Sequence, residues 1–226
     1  MNLFSFRAKK PATRPLVIAV DGPTASGKGT IAKRLAEHYR LPLLDTGVLY
    51  RAVGLAVLDA GKDPADDAAA LEAASKLDLN AIDEQRVRSS EAAVAASKVA
   101  AKPRVREILR RAQRAFAGNP QGAVLDGRDI GTVICPDATV KFYVTAAPDV
   151  RAERRHRELL GRGEALSLEE LKRQIRERDE RDYQRETSPL ELAPDAHLLD
   201  TTHLSIDEAV EAAYRIVDAA LARRGT

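Results

Sequence analysis

Apolar and polar positions along the chain fall into blocks that predict strands alternating with helices. The short apolar runs, which are the candidate strands, stand at 16–20, 41–44, 123–125, 140–144 and 197–199. The first run is β-branched at Val17, Ile18 and Val20, which is typical of a strand buried on both faces. The stretches between the runs carry apolar residues at helical spacing. This order predicts an α/β fold whose parallel sheet is covered by helices on both faces.

Helical spacing and capping signals define the predicted helices. They are expected up to about 40, at 48–60, 65–77, 91–101 and 103–117, from 148, at 167–185, and after 205. Ser167 and Ser205 each precede a glutamate by three residues, the spacing of a capping box. Gly161 and Gly163 interrupt the arginine-rich helix before them. The segment 78–90 is polar and without a clear period, so we expect irregular structure there.

The first candidate strand runs into a glycine-rich loop. Residues 22–28 fit the pattern G-x-x-x-x-G-K, and a helical pattern follows. Glycines let backbone N–H groups close around phosphate oxygens, and the new helix presents its positive end to the same anion. Gly29 takes the place where the commonest form of the motif has Ser or Thr, and Thr30 follows it. The sequence therefore predicts a P-loop NTPase core without direct hydroxyl ligation of a metal.

Polar residues follow the candidate strands at the points where these strands end. They are Asp21, Asp45 and Thr46, Asp126 to Asp129, and Asp200 with Thr201. Ligands of open α/β sheets bind at the carboxyl ends of the strands. We therefore expect these side chains to line one rim of the sheet, beside the phosphate loop.

Charge and composition exclude several classes of protein. Lysine plus arginine number 36 against 34 acidic residues, and this near balance argues against a general nucleic-acid binder. The single cysteine, Cys135, excludes an internal disulfide. No apolar run approaches a membrane span, and residues 1–14 lack a secretory signal. We expect a cytoplasmic protein with a disordered tail at 1–14 and a folded domain at 15–226.

The missing motifs narrow the phosphate chemistry. Neither D-x-x-G nor N-K-x-D occurs, which disfavours a switch GTPase. Phosphoryl transfer relies on cations around the moving charge, and arginines crowd two late segments. They are Arg151, Arg154, Arg155 and Arg157 on one helix and Arg178, Arg181 and Arg185 on the next. Phosphoryl transfer is therefore favoured, although such clusters are also common on solvated helix faces.

Six stretches carry a resemblance to a known family. They are DGPTASGKGT (21–30), LLDTGVLYR (43–51), AASKVAAKPRVRE (95–107), LDGRDIGTVICPDATVKF (125–142), RERDERDYQR (176–185) and LLDTTHLSIDEAV (198–210). Together they resemble the bacterial cytidylate kinases over residues 15–221. The resemblance implies transfer of the γ-phosphate of ATP to CMP or dCMP with Mg²⁺. It also implies a monophosphate-binding insert at about 60–118 and a mobile lid at about 150–165.

The resemblance also implies roles for individual residues. The catalytic set is Lys28, Asp126, Arg128 and Arg185. The ATP phosphates would be held by Gly22, Pro23, Thr24, Ala25, Ser26, Gly27, Lys28, Gly29 and Thr30. CMP would be held by Thr46, Tyr50, Arg51, Ser97, Arg106, Arg128, Asp129, Arg178, Asp182 and Arg185. Magnesium would bind through water near Thr30 and Asp126, with no direct protein ligand. Thr201 and Thr202 would lie at the adenine edge.

Cytosine recognition by this set is chemically consistent. Cytosine offers a donor at its 4-amino group, which suits Asp129, and acceptors at N3 and O2, which suit Arg106. Two other readings stay open: a kinase of the same fold for UMP or AMP, and a nucleotide-binding regulator or nucleic-acid-associated module. The segment between Leu77 and Glu91 is shorter than the insert of many family members, which leaves its fold open. We expect a monomer that acts on small molecules and binds neither nucleic acid nor membrane.

Overall fold

A five-stranded parallel sheet forms the centre of the molecule. The computed structural model describes residues 14–224, so the predicted tail lies outside the described residues except for Arg14. The strands are β1 (Val17–Asp21), β2 (Leu43–Asp45), β3 (Ala123–Gly127), β4 (Val140–Thr145) and β5 (His197–Asp200). Their order is β2-β3-β1-β4-β5, and every pairing is parallel. Each predicted strand is confirmed.

Eight helices surround the sheet within the described part of the chain. They are α1 (Lys28–Tyr39), α2 (Thr46–Asp59), α3 (Asp67–Ser75), α4 (Ser90–Val99), α5 (Pro103–Ala117), α6 (Pro148–Leu160), α7 (Leu168–Gln184) and α8 (Ile206–Arg224). Both predicted capping signals are confirmed, since Ser167 Oγ accepts from Glu170 N at 3.2 Å and Ser205 Oγ accepts from Glu208 N at 3.2 Å. A π-helical turn, Ile130–Ile134, was not predicted from the sequence.

Apolar side chains cover both faces of the sheet. On one face, α1 and α8 pack against β1 and β4, with Leu35 and Phe142 almost fully buried. On the other face, Leu125 and the π-helical turn pack beneath α5. Burial on both faces explains why the strands read as continuous apolar runs. The predicted α/β fold with a covered parallel sheet is confirmed.

Helices α2 to α5 build a second apolar cluster beside the sheet. Val53, Val99 and Val105 are fully buried in it. A Cβ added at Gly54 would lie 2.7 Å from the Cβ of Ala95, so glycine lets α2 and α4 approach closely. The segment 78–90 consists of irregular chain with two short 3₁₀ turns, Leu79–Ala81 and Arg86–Arg88, as the sequence predicted. The boundaries of the insert and the lid stay a prediction.

None of the helices among residues 14–224 combines the length and the apolar character that crossing a membrane requires.

Candidate active site

The glycine-rich loop is held in a shape that only its sequence permits. Gly22 has φ 149°, and a Cβ there would lie 2.0 Å from the backbone oxygen of Val144. Gly27 has φ 92° and precedes the first turn of α1. Thr201 Oγ1 donates to the backbone oxygen of Ser26 at 2.8 Å, which ties the loop to the end of β5. The loop is therefore fixed with its backbone N–H groups at the start of a helix, a ready anion site.

Lys28 and Asp126 face each other across the base of this loop. Lys28 Nζ lies 3.6 Å from Asp126 Oδ1, and both side chains are largely buried. Burial lowers the pKa of the Lys28 ammonium and raises the pKa of the Asp126 carboxyl. A Cβ at position 29 lies 3.2 Å from Asp126 Oδ2. Gly29 therefore leaves room for the carboxylate where most P-loops carry a hydroxyl residue.

The donor set beside the loop fits magnesium. Mg²⁺ in phosphate-transfer sites takes one or two carboxylates, substrate phosphates and several waters. Asp126 supplies one carboxylate next to the loop, and Thr30 lies on the first turn of α1. No cluster of His, Cys, Asp and Glu that could enclose a metal occurs between residues 14 and 224. This arrangement suits an ion held mostly by phosphates and water.

Two cavities meet at the loop. The larger, of about 700 Å³, lies between the loop, α6 and the start of α8, and we call it the ATP-side cavity. The smaller, of about 200 Å³, lies between the ends of β2 and β3, α4, α5 and α7, and we call it the CMP-side cavity. Both are lined by Ala25, Lys28, Gly29, Arg88 and Glu158. A group passing from one cavity to the other would cross these residues.

The structure brings every predicted CMP residue into the CMP-side cavity. Its lining includes Thr46, Tyr50, Arg51, Ser97, Arg106, Arg128, Asp129, Arg178, Asp182 and Arg185. The residues predicted to bind ATP fall into three groups. Ala25, Gly27, Lys28, Gly29 and Thr30 line the ATP-side cavity, and Thr24 lines the CMP-side cavity. Gly22, Pro23 and Ser26 line neither cavity.

Arg106 and Asp129 form a buried ion pair in the lining of the CMP-side cavity. Arg106 Nη2 lies 2.6 Å from Asp129 Oδ2, and the two side chains are 3% and 6% exposed. The guanidinium also lies over the ring of Tyr50, with its Cζ 5.5 Å from the ring centroid. Asp129 Oδ1 accepts no hydrogen bond from any residue among 14–224, so it is available to a ligand. The pair therefore offers a fixed acceptor beside a fixed cation.

In the same lining, three arginines surround one carboxylate. Asp182 lies 3.0 Å from Arg128 Nε, 3.6 Å from Arg185 Nη1 and 3.9 Å from Arg178 Nε. Burial acts to raise the pKa of Asp182, but the three arginines hold it below its usual value. Burial, reinforced by Arg128, lowers the pKa of Arg178 to about 9. One carboxylate cannot neutralise three guanidinium groups, and basic side chains outnumber acidic ones in the lining of this cavity as a whole.

Unpartnered guanidinium nitrogens in this lining favour the binding of an anion. Arg51 Nε, Arg178 Nε and Arg185 Nη2 are buried without a hydrogen-bond partner in the described part of the chain. A buried donor without a partner is unfavourable by about 1–3 kcal/mol, and more when it is charged. A bound phosphate would satisfy several of these donors at once.

The lid arginines have separate positions. Arg151 is buried, and its Nη2 lies 2.6 Å from Asp179 Oδ2, so it fastens α6 to α7 and lines neither cavity. Arg154 donates to the oxygens of Thr201 and, with Arg157, lines the ATP-side cavity. Arg155 pairs with Glu158 and lines the CMP-side cavity. The sequence could not separate these roles, because all four arginines share one helix.

The two threonines predicted to lie at the adenine edge have different positions. Thr201 lines the ATP-side cavity. Thr202 lines neither cavity, and its Oγ1 instead accepts from the backbone N of Ala147 at 2.9 Å. Thr202 therefore fixes the start of α6 beside the cavity.

Asp21 has a structural role that the sequence did not predict beyond its place at a strand end. Its two carboxylate oxygens accept from the backbone N–H groups of Ile130 at 2.8 Å and Gly131 at 2.7 Å. These bonds hold the π-helical turn that follows Arg128 and Asp129. Asp21 therefore connects the strand that carries the phosphate loop to the residues at the CMP-side cavity.

Comparison with known proteins agrees with this geometry. A sequence profile described as "Cytidylate kinase" matches residues 18–219. The chain is 54% identical over 209 residues to the cytidylate kinase of Caulobacter sp. (strain K31), covering 92% of this chain and 97% of that protein. It is 57% identical over 209 residues to the cytidylate kinase of Xanthobacter autotrophicus, covering 92% of this chain and 100% of that one.

A solved structure of an uncharacterized protein from Eubacterium ventriosum has a similar fold, with a TM-score of 0.55 and 16% identity over 90% of this chain and 98% of that chain. At that identity the likeness concerns the fold alone. The profile and the two relatives cover the P-loop core together with the segments predicted to form the insert and the lid. On these matches, the chain belongs to the cytidylate kinase family.

Proposed function

We propose that the protein transfers the γ-phosphate of ATP to CMP or dCMP, giving ADP and CDP or dCDP. One observation carries the proposal. The lining of the CMP-side cavity contains both a buried acceptor–cation pair and further guanidinium groups with unpartnered nitrogens, and the cavity meets the ATP-side cavity at Lys28. A pyrimidine monophosphate has matching chemistry at its two ends. Its phosphate would then lie next to the γ-phosphate of ATP.

The chain's own residues act mainly by positioning charge. The loop N–H groups hold the ATP phosphates, and Lys28 Nζ neutralises charge on the transferring group. Arg51, Arg128 and Arg185 hold the CMP phosphate in line with it. Magnesium, held near Asp126 and Thr30 through water, would neutralise charge on the β- and γ-phosphates. Catalysis of this type depends on fixed geometry, because the charge is stabilised without reorganisation during the step.

Base selection follows from the polarity of the Arg106–Asp129 pair. Asp129 Oδ1 suits the 4-amino group of cytosine, and Arg106 suits its N3 and O2 acceptors. Uracil would turn N3–H towards the arginine and O4 towards the carboxylate, and both contacts would oppose binding. For the ribose, Asp182 offers an acceptor to the hydroxyls beside Arg178.

The lid closes the site from the side of the insert. Arg162 Nη1 donates to the backbone oxygen of Arg88 at 2.9 Å, and Glu164 Oε2 accepts from Ser90 N at 3.2 Å. Both bonds join the turn after α6 to the segment 86–90. We propose that this contact forms on closure and excludes water from the transferring phosphoryl group.

An acceptor panel tests the proposal. The protein is incubated with Mg-ATP and CMP, dCMP, UMP, AMP or GMP, and ADP formation is measured by a coupled assay. We expect rapid ADP formation with CMP and dCMP and far slower formation with the other three. Equal rates with UMP, or a rate independent of any acceptor, would contradict the proposal. We also expect a monomer, which light scattering behind size-exclusion chromatography can check.

A further inference from the structure

Ser97 is joined to a residue outside the predicted site. It lies on α4, lines the CMP-side cavity and is 5% exposed. Its Oγ accepts a hydrogen bond from Nε of Arg181, on α7, at 3.0 Å. Arg181 itself does not line the CMP-side cavity. The contact therefore links Arg181 to the cavity lining through Ser97.

This contact fixes the polarity of the Ser97 hydroxyl. A serine hydroxyl can donate or accept, whereas a guanidinium group can only donate. Ser97 Oγ must therefore act as the acceptor towards Arg181, which leaves its own hydrogen for another partner. No acceptor among residues 14–224 takes that hydrogen. The hydroxyl hydrogen, together with the second lone pair of the oxygen, therefore remains for a ligand in the cavity.

We propose that Arg181 is a positioning residue that sets Ser97 as a hydrogen-bond donor to the acceptor edge of cytosine, its N3 and O2. The proposal rests on the function proposed above and deepens it. Asp129 supplies the acceptor for the 4-amino group, while Arg106 and Ser97 supply donors to the opposite edge of the base. Without Arg181 the hydroxyl is free to turn, and ordering it on binding costs affinity.

A double-mutant cycle on kcat/KM for CMP tests this inference. The variants are Ser97→Ala, Arg181→Ala and the two combined. We expect each single change to lower kcat/KM about 2- to 10-fold, the size of one net hydrogen bond, mainly through KM. In the Ser97→Ala background, Arg181→Ala should have almost no further effect, because its target is gone. Arg181→Lys, which also only donates, should retain most of the activity.

The control is Arg173→Ala, which removes another exposed arginine of α7, one that pairs with Glu170 and Glu177. It should leave kcat/KM unchanged. Arg181 is exposed, so its replacement should leave circular dichroism unchanged as well. Full additivity of the two losses would overturn the inference, because Arg181 would then act without Ser97. Failure of the proposed function is a separate result, seen as wild-type protein without CMP-dependent turnover.

Discussion

Replacing Asp129 with asparagine should reverse the polarity of one contact with the base. Asp129 Oδ2 accepts from Arg106 Nη2 at 2.6 Å inside a buried pair. In the variant the amide oxygen must stay on the arginine, because a guanidinium group can only donate. The amide NH₂ then takes the place of Oδ1 and faces the cavity. It opposes the 4-amino group of cytosine and matches O4 of uracil.

The expected loss of free energy in the CMP complex is that of one buried donor without an acceptor, about 1–3 kcal/mol. The kcat/KM for CMP should fall roughly 5- to 150-fold, and the value for UMP should stay level or rise. Selectivity should narrow without vanishing, because Arg106 still faces N3–H of uracil. Asparagine is a more specific change than alanine, since both remove the negative charge beside Arg106 but only asparagine keeps an acceptor for the hydrogen bond from Arg106 Nη2.

The assay is steady-state kinetics with CMP and UMP for wild type and variant, with folding confirmed by circular dichroism. Asp149→Asn is the matched control, because Asp149 lies on the first turn of α6 with a side chain 77% exposed. It should leave both kcat/KM values unchanged. Equal losses for CMP and UMP in Asp129→Asn would refute the reasoning, since Asp129 would then support the cavity without reading the base.

Three further predictions test other parts of the account. Lys28→Ala should lower kcat about 10²- to 10³-fold with unchanged circular dichroism, as expected for one lost preorganised charge; near-normal turnover would remove Lys28 from the mechanism. Arg151→Ala should lower the free energy of unfolding, measured in urea, by about 3–5 kcal/mol, because it breaks a buried ion pair. Arg157→Ala should leave that free energy unchanged and raise KM for ATP. The reverse pattern would contradict the positions assigned to these two arginines. Burial raises the pKa of Asp21 to about 7, so between about pH 4 and pH 7 the folded protein keeps a proton that the unfolded chain has lost. Relative to Asp21→Asn, the stability of the wild type should therefore fall by about 1–3 kcal/mol from about pH 5 to about pH 8; a rise would show that Asp21 ionises easily in the fold.

The fold was largely predictable because its signals are local. Continuous apolar runs marked the strands of a sheet buried on both faces, and Ser167 and Ser205 marked helix starts through side chains three residues away. The phosphate loop was predictable for the same reason, since Gly22 and Gly27 occupy conformations that their neighbours require. The π-helical turn at Ile130–Ile134 was not, because it depends on Asp21, which is distant in the chain.

The site was predictable as a set of residues but not as a network. The resemblance led us to expect Arg106 and Asp129 to contact the base, but only the fold shows that they pair with each other. Helical spacing could not separate the buried Arg151 from the exposed Arg157, because packing against α7 decides that difference. The hydrogen bond from Arg181 to Ser97 joins α7 to α4, and no pattern in either sequence segment predicts it.

The central claim is that phosphate passes from ATP to CMP within one closed site. The most direct measurement follows ATP radiolabelled at its γ-phosphorus, with and without CMP, and separates the products by chromatography. The account predicts that the label appears in CDP, at a rate that depends on CMP and on Lys28. Label released as inorganic phosphate, with none in CDP, would contradict it.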